Sequence, residues 1–103
     1  MAVKDRLRIL IVDDEAPARK DLRRICGKLG AVEISGEASD GFEAVKLARK
    51  MRPDAILLDI QMPGLDGFQV VSRIADMERA PSIIFVTAYD EYAIRAFEVH
   101  AID

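Results

Sequence analysis

Short apolar runs alternate along the chain with longer stretches in which apolar residues recur every three or four positions. Leu7–Val12, Ala55–Leu58 and Ser82–Val86 are mostly apolar and rich in isoleucine, valine and leucine. Runs of this kind are typical of strands that are buried on both faces of a parallel sheet. We therefore predict that these segments are strands of a parallel sheet that helices cover.

Val32–Ala38 has a different pattern, because small or apolar residues alternate there with two glutamates and a serine. Such alternation gives an extended segment one polar face. We interpret Val32–Ala38 as a strand at the exposed edge of the same sheet.

Helical spacing occupies the intervals between the predicted strands. The apolar positions that would face the sheet recur every three or four residues. They are Ala18, Leu22, Ile25, Cys26 and Leu29, then Ala44, Val45, Ala48 and Met51, then Val70, Val71, Ile74 and Met77. Each set predicts a helix that lays one apolar stripe on the sheet.

Residues that favour helix starts precede these stripes. Pro17 suits a first turn, and Asp40 with Glu43 has the spacing of a capping box. Asp66 is placed to cap the third helix, and Asp90 is placed to cap a fourth. Strand and helix therefore alternate, and right-handed crossovers between parallel strands predict a three-layer α/β sandwich.

The composition is that of one globular domain. The 103 residues are 50% hydrophobic and 32% charged, without the signature of disorder. The formal net charge of -3 gives no general attraction for nucleic acid or an anionic membrane. The single cysteine, Cys26, is interpreted as a small core residue in a reducing compartment. The N-terminal apolar run is too short to span a membrane, so we expect a cytoplasmic protein.

Acidic and hydroxyl side chains follow the predicted strands. Asp13 and Asp14 end the first strand, Asp59 ends the third and Thr87 ends the fourth. Ligands of such sheets bind beyond the carboxyl ends of the strands. Carboxylates gathered there either keep one proton or bind a hard cation, and Mg²⁺ suits an all-oxygen site. With a divalent ion, Asp59 could attack phosphorus and form an aspartyl phosphate.

Each of these residues also has a purely structural interpretation. Asp13 and Asp14 could cap the first helix, Asp59 could simply end a strand, and a β-branched Thr87 is common at strand ends. Their common position at one rim of the sheet favours the functional interpretation.

The basic residues of the first predicted helix form a separate feature. Arg19, Lys20, Arg23, Arg24 and Lys28 fall on this segment. They could steer an acidic partner, but a solvated helix face is the favoured interpretation.

Three motifs resemble, in order, the signatures of the receiver domain of bacterial two-component response regulators. They are VDDE at Val12–Glu15, LLDIQMPGLDG at Leu57–Gly67 and VTA at Val86–Ala88. The resemblance implies a flavodoxin-like parallel sheet in the order 2-1-3-4-5. It also implies that Asp59 is the phosphoacceptor and that Thr87 is the switch hydroxyl.

The resemblance further implies a Mg²⁺ site and a set of partners. Asp13, Asp14, Asp59 and the backbone carbonyl of Gln61 would hold the ion. A sensor histidine kinase would donate the phosphoryl group, and a dimerisation surface would switch. The stretch from Ala88 to Asp103 resembles the fourth helix of receivers attached to LytTR-type DNA-binding domains, so a separate effector domain would regulate transcription. The receiver itself would not contact nucleic acid.

The family continues beyond the position of Asp103 into a fifth strand with an aromatic residue and a Lys-Pro pair, and then a fifth helix. The resemblance therefore implies that residues 1–103 are a truncated receiver domain that lacks this lysine and its effector domain. An uncovered strand at Ile83–Val86 would invite edge pairing or a swapped segment near Ala93–Ile102.

Two other functions fit some of the same residues. A Mg²⁺-dependent aspartyl phosphohydrolase would also use an aspartate nucleophile, although such enzymes usually have a second acid where this chain has Gln61. A phosphorylation-independent interaction domain would keep the sandwich without the switch. We predict a signalling phosphoacceptor that assists its own phosphorylation and dephosphorylation, rather than an enzyme.

Overall fold

Strands and helices alternate in the predicted order in the computed structural model, which describes residues 6–86. The strands are β1 (Leu7–Val12), β2 (Val32–Ala38), β3 (Ala55–Leu58) and β4 (Ser82–Phe85), and the helices are α1 (Ala16–Gly27), α2 (Gly41–Met51) and α3 (Gly67–Ile74). The helix predicted from Asp90 and the switch hydroxyl predicted at Thr87 lie outside the described residues.

The strands form one parallel sheet in the order β2-β1-β3-β4. This order confirms the flavodoxin-like arrangement, with β2 at an edge as its alternating pattern predicted. Side chains of β1 and β3 point alternately to the two faces, and both faces are buried. The near-continuous apolar character of these strands follows from that double burial.

Two apolar clusters make the three layers. On one face, Leu10 and Leu58 pack with Ala48 of α2 and Val70 of α3. On the other face, Ile9, Ile11, Ala55 and Leu57 pack with Cys26 of α1. The three-layer sandwich predicted from the sequence is thus confirmed, and Cys26 is a buried core residue as expected. Burial raises the pKa of its thiol.

The apolar stripe of α1 is narrower than predicted. Cys26 is buried and Leu22 is half-buried, but Ile25 is 50% exposed and Leu29 is also exposed. Within residues 6–86, α1 is the only helix on this face of the sheet, and it packs against β1 and β2. Residues on the flank of α1 that faces away from those strands therefore have no apolar layer to cover them.

The helix starts differ in detail from the prediction. Asp66 accepts a hydrogen bond from the Gln69 amide, and the Gln69 side chain accepts one from the Asp66 amide, both at 2.9 Å. The complete capping box therefore begins α3. At α2, Asp40 accepts from the amide of Glu43, but the Glu43 carboxylate accepts from Ser39 rather than from Asp40. Pro17 lies in the first turn of α1, as predicted.

No helix among the residues described is long and apolar enough to cross a membrane.

Candidate functional site

Three acidic side chains meet where β1 and β3 end. Val12 of β1 lies opposite Leu58 of β3 in the sheet, and the Asp59 amide donates to the Val12 carbonyl at 3.0 Å. The residues that follow, Asp13 and Asp59, are thereby placed side by side. One carboxylate oxygen from each of Asp13, Asp14 and Asp59 lies within 4.8 Å of the others. The structure brings together the three acids that the strand ends predicted.

Asp13 is held from several directions. It is 8% exposed, and its amide donates to the Ala38 carbonyl at 3.1 Å. One carboxylate oxygen, Oδ1, accepts from the Glu15 amide at 2.9 Å. The cap position of α1 is occupied by Glu15, without a side-chain cap bond, and not by Asp13 or Asp14. The alternative that these two acids serve to cap α1 is therefore not what the structure shows.

Asp59 is half-buried beside the other acids. Burial and the neighbouring Asp13 raise the pKa of Asp59 to about 6, and Asp14 and Glu15 contribute in the same direction. A hydrogen bond from the Gln61 amide to Oδ1, at 3.3 Å, acts in the opposite direction. The negative charges at this rim therefore oppose one another, and either a proton or a cation relieves that repulsion.

The donor set fits a hard divalent cation. The three grouped side chains offer carboxylate oxygens, which are the ligands that Mg²⁺ prefers. Among the residues described, no histidine or cysteine joins this group, so the donors do not suit a zinc site. The acids line an open cleft of about 440 Å³, which leaves room for a ligand beside them.

The loop after Asp59 is packed tightly against the sheet. Met62 and Leu65 are buried, and Gly64 turns the chain with a φ of 81°. Gly67 begins α3, where a Cβ atom would lie 2.7 Å from the backbone oxygen of Asp59. The close approach explains why glycine occupies this position directly behind the acid.

Comparison with known proteins identifies the group to which this site belongs. The sequence model of the response regulator receiver domain matches residues 9–103. The chain belongs to the response regulator receiver domain family.

The relatives of this receiver domain include regulators and solved signalling domains. It is 47% identical over 97 residues to the transcriptional regulatory protein BtsR of Escherichia coli, covering 94% of this chain but 40% of that protein. The signal receiver domain of NarL from Mycobacterium tuberculosis is 36% identical, with a TM-score of 0.80 over 87% of this chain and 73% of the other. The receiver domain thus spans about two fifths of the curated relative.

A further solved structure holds ligands. The receiver domain is 29% identical to a chain of the CheX-CheY-BeF3-Mg²⁺ complex from Borrelia burgdorferi, with a TM-score of 0.78. That match covers 91% of this chain and 72% of the other.

The other predicted site residues have different outcomes. Gln61 is exposed and lines the cleft of the receiver domain beside Asp59. The proposed role of its carbonyl oxygen stays a prediction. Val86 lines the same cleft, and its amide donates to Leu58 at 2.9 Å. Thr87 follows Val86 in the sequence but lies outside the described residues, so its role also stays a prediction.

Sequence reasoning missed two contributors to the site. Glu15 lines the cleft and adds negative charge near Asp59. Arg19, which was interpreted as part of a solvated basic face, is half-buried and donates from Nη1 to the Asp13 carbonyl at 2.8 Å. The VDDE motif contains Glu15 and was a usable signal. No local pattern in the sequence indicates the role of Arg19, because its ion-pair partner, Glu37, lies on β2, far from Arg19 in the sequence.

Proposed function

We propose that this receiver domain accepts a phosphoryl group on Asp59 from the phosphohistidine of a sensor histidine kinase. The observation that carries the proposal is the placement of Asp59 at an open cleft, with its carboxylate within 4.8 Å of those of Asp13 and Asp14. A carboxylate in this setting is both a nucleophile and a potential ligand for a cation.

The chemistry follows from the charge of the cluster. The ionised Asp59 carboxylate attacks phosphorus, an O–P bond forms and the P–N bond to the histidine breaks, and the electron pair of that bond leaves with the imidazole. Asp13, Asp14, Asp59 and the Gln61 carbonyl would hold Mg²⁺, which when bound neutralises charge on the transferred group. BeF3 and Mg²⁺ in the solved structure of a similar chain favour this choice of ion. Thr87 is proposed as the switch hydroxyl.

The acceptor role implies a regulatory output. The similarity to a transcriptional regulatory protein favours control of transcription by an effector domain. We propose that this domain is of the LytTR-type DNA-binding class and that the protein acts in the cytoplasm. Residues 1–103 are proposed to act as the receiver portion alone, a signalling domain rather than an enzyme. Phosphorylation would alter a surface used for dimerisation.

A small-molecule phosphodonor tests the acceptor residue. Incubation of the chain with phosphoramidate and Mg²⁺, followed by intact-mass measurement, should give one phosphoryl adduct that is labile to base. Asp59→Asn should abolish the adduct because it removes the nucleophilic oxygen. Asp54→Asn is the matched control. Asp54 precedes β3, at the end opposite to Asp59, and its carboxylate accepts a hydrogen bond from the Arg8 amide. This control should keep the adduct.

Three results would contradict the proposal. An adduct that persists in Asp59→Asn would place the phosphoryl group elsewhere. Steady multiple turnover of phosphate esters by the wild-type chain would instead support the phosphohydrolase, and an unmodified wild-type chain would support the interaction domain.

A further inference from the structure

Arg19 connects the loop that carries the acidic pair to the edge strand of the sheet. Its Nη1 donates to the Asp13 carbonyl at 2.8 Å, and its Nε lies 3.4 Å from a carboxylate oxygen of Glu37 on β2. The side chains of Arg19 and Glu37 are 20% and 23% exposed. The guanidinium group is therefore held in a half-buried position that joins α1, β2 and the end of β1.

The bond from Arg19 completes a set of contacts around Asp13. The Asp13 amide donates to Ala38 at 3.1 Å, and Oδ1 of its carboxylate accepts from the Glu15 amide at 2.9 Å. With the carbonyl also bound, both polar backbone atoms and one carboxylate oxygen have fixed partners. The contacts on either side of the Cα atom limit the directions that the remaining oxygen, Oδ2, can take.

The guanidinium group also does not compete with a cation for the carboxylates of the acidic cluster. In the part of the chain that the structure describes, the ion pair of Arg19 is with Glu37, and its contact with Asp13 is through the carbonyl oxygen. Arg19 therefore holds the loop without occupying a carboxylate of the cluster. Groups that hold a metal ligand in place raise affinity because the ligand does not have to be ordered on binding.

We propose that Arg19 is a positioning residue that presents Asp13 to the divalent cation. The inference rests on the proposed Mg²⁺ site, and it assigns to α1 a role in cation affinity that its basic residues alone did not suggest. The polar contacts of Arg19 are with the Asp13 carbonyl and with Glu37, and not with the carboxylate of Asp59.

Arg23 provides a matched control on the same helix. Its Nε donates to Glu37 at 2.7 Å, so Arg23 shares the carboxylate that Arg19 uses. The Arg23 side chain is 64% exposed, and within residues 6–86 it pairs with Glu37 and makes no hydrogen bond or ion pair with Asp13. Arg19→Gln and Arg23→Gln each remove one positive charge and one partner of Glu37. Only Arg19→Gln removes the bond to the Asp13 carbonyl.

The direction of the expected change in Mg²⁺ affinity distinguishes a positioning role of Arg19 from a purely electrostatic effect of its charge. Removal of a positive charge near three carboxylates makes the site more negative, which by itself strengthens the binding of a cation. Loss of positioning weakens binding because Asp13 must then be ordered when the ion arrives. A weaker affinity in Arg19→Gln cannot therefore come from the lost charge.

Calorimetric titration of the chain with MgCl2 tests the inference. We expect Arg19→Gln to raise the Mg²⁺ dissociation constant about tenfold or more, as loss of groups that orient metal ligands typically does. Arg23→Gln should leave the constant near the wild-type value or lower it. At saturating Mg²⁺, the rate of phosphorylation by phosphoramidate in Arg19→Gln should return close to the wild-type rate, because the acceptor itself is unchanged.

A second variant at position 19 helps to distinguish a loss of Mg²⁺ affinity from a loss of folding. Arg19→Lys keeps the charge but cannot reach Asp13 and Glu37 with the same pair of donors. It should weaken Mg²⁺ binding to an intermediate extent, and thermal unfolding of each variant establishes that it is folded at the assay temperature.

The possible failures are distinguishable. Equal Mg²⁺ dissociation constants for Arg19→Gln, Arg23→Gln and the wild type would overturn the role of Arg19 and leave the proposed function intact. Selective weakening in Arg19→Gln, without any phosphoryl adduct on Asp59 of the wild type, would overturn the proposed function and support the positioning role. A wild-type chain that binds no Mg²⁺ would overturn the cation site and the role of Arg19, and the phosphoryl adduct would then decide the acceptor role by itself.

Discussion

Asp59 illustrates at the scale of one residue how a site can work against the stability of its own fold. Its pKa is raised from 3.8 to about 6, first because it is desolvated and next because Asp13 is close. The folded chain therefore binds a proton at Asp59 more tightly than the unfolded chain does. The free energy of unfolding falls as the pH rises from about 4 to about 6, and the loss persists above that range.

Replacement of Asp59 by asparagine should consequently stabilise the chain at neutral pH when Mg²⁺ is absent. We expect the free energy of unfolding of Asp59→Asn to exceed that of the wild type by about 1 kcal/mol at pH 7.5, a value reduced for the partial exposure of the side chain. The difference should disappear near pH 4, where the wild-type carboxyl group is protonated. Urea unfolding at the two pH values measures both quantities.

The control for this prediction is Glu33→Gln, which removes a negative charge from an exposed position on β2. It should change stability little at either pH. An advantage of Asp59→Asn that is equal at both pH values would contradict the explanation. Addition of Mg²⁺ should stabilise the wild type more than Asp59→Asn, because a ligand that binds the folded state favours folding.

At the scale of the elements, the start of α3 packs directly against the backbone of Asp59, the proposed acceptor. The complete capping box of Asp66 and Gln69 begins the helix, and the Gly67 amide donates to the Ile60 carbonyl at 2.9 Å. The helix can start this close to β3 only because Gly67 has no side chain. A Cβ atom there would lie 2.7 Å from the backbone oxygen of Asp59 and 2.9 Å from Ile60 Cα.

Gly67→Ala should therefore destabilise the chain and displace the segment around Asp59. We expect a loss of about 1–3 kcal/mol in the free energy of unfolding, which is typical of overpacking a rigid site. The rate of phosphorylation by phosphoramidate should fall as well. Urea unfolding and intact-mass time courses measure the two effects.

Gly27→Ala is the matched control, because Gly27 also lies in a helix but has open space where its Cβ atom would be. Alanine is the better helix former, so this variant should be as stable as the wild type or more stable. Equal effects of the two substitutions would show that helix propensity, rather than the contact with Asp59, governs position 67.

At the scale of the whole molecule, the two faces of the sheet are covered unequally. On the face of α2 and α3, Ile83 and Phe85 of β4 pack against the core. Ile84 points to the opposite face and is 49% exposed. Within residues 6–86, β4 is an outer strand of the sheet and α1 packs over β1 and β2. An exposed apolar position on an outer strand favours association between chains.

Self-association of the 103-residue chain should therefore depend on Ile84. We expect Ile84→Lys to shift the chain toward monomer, since a charged side chain on an outer strand opposes pairing. Sedimentation velocity over a wide range of concentration measures the effect. Phe42→Lys is the control, because Phe42 is also exposed but lies on α2, on the other side of the sheet. A wild-type chain that stays monomeric, or equal effects of both variants, would contradict the prediction.

Much of this architecture was predictable because it depends on local patterns. Buried parallel strands need continuous apolar runs, and surface helices need an apolar stripe, so the order of elements follows from the sequence. The carboxyl ends of parallel strands share one edge of the sheet, which is why Asp13, Asp14 and Asp59 could be expected together. The predicted width of the α1 stripe was wrong at Ile25, because periodicity does not reveal how much of a face the neighbouring elements cover.

The sequence by itself determined the order of strands and helices, the parallel sheet and the meeting of Asp13, Asp14 and Asp59, since these depend on periodicity and on strand ends. Only the tertiary structure decided that Arg19 reaches the Asp13 carbonyl while bound to Glu37, and that Gly67 lies against the backbone of Asp59. These contacts join residues of different elements. Their distances depend on how α1 and α3 pack on the sheet, and no local pattern of residues specifies that packing.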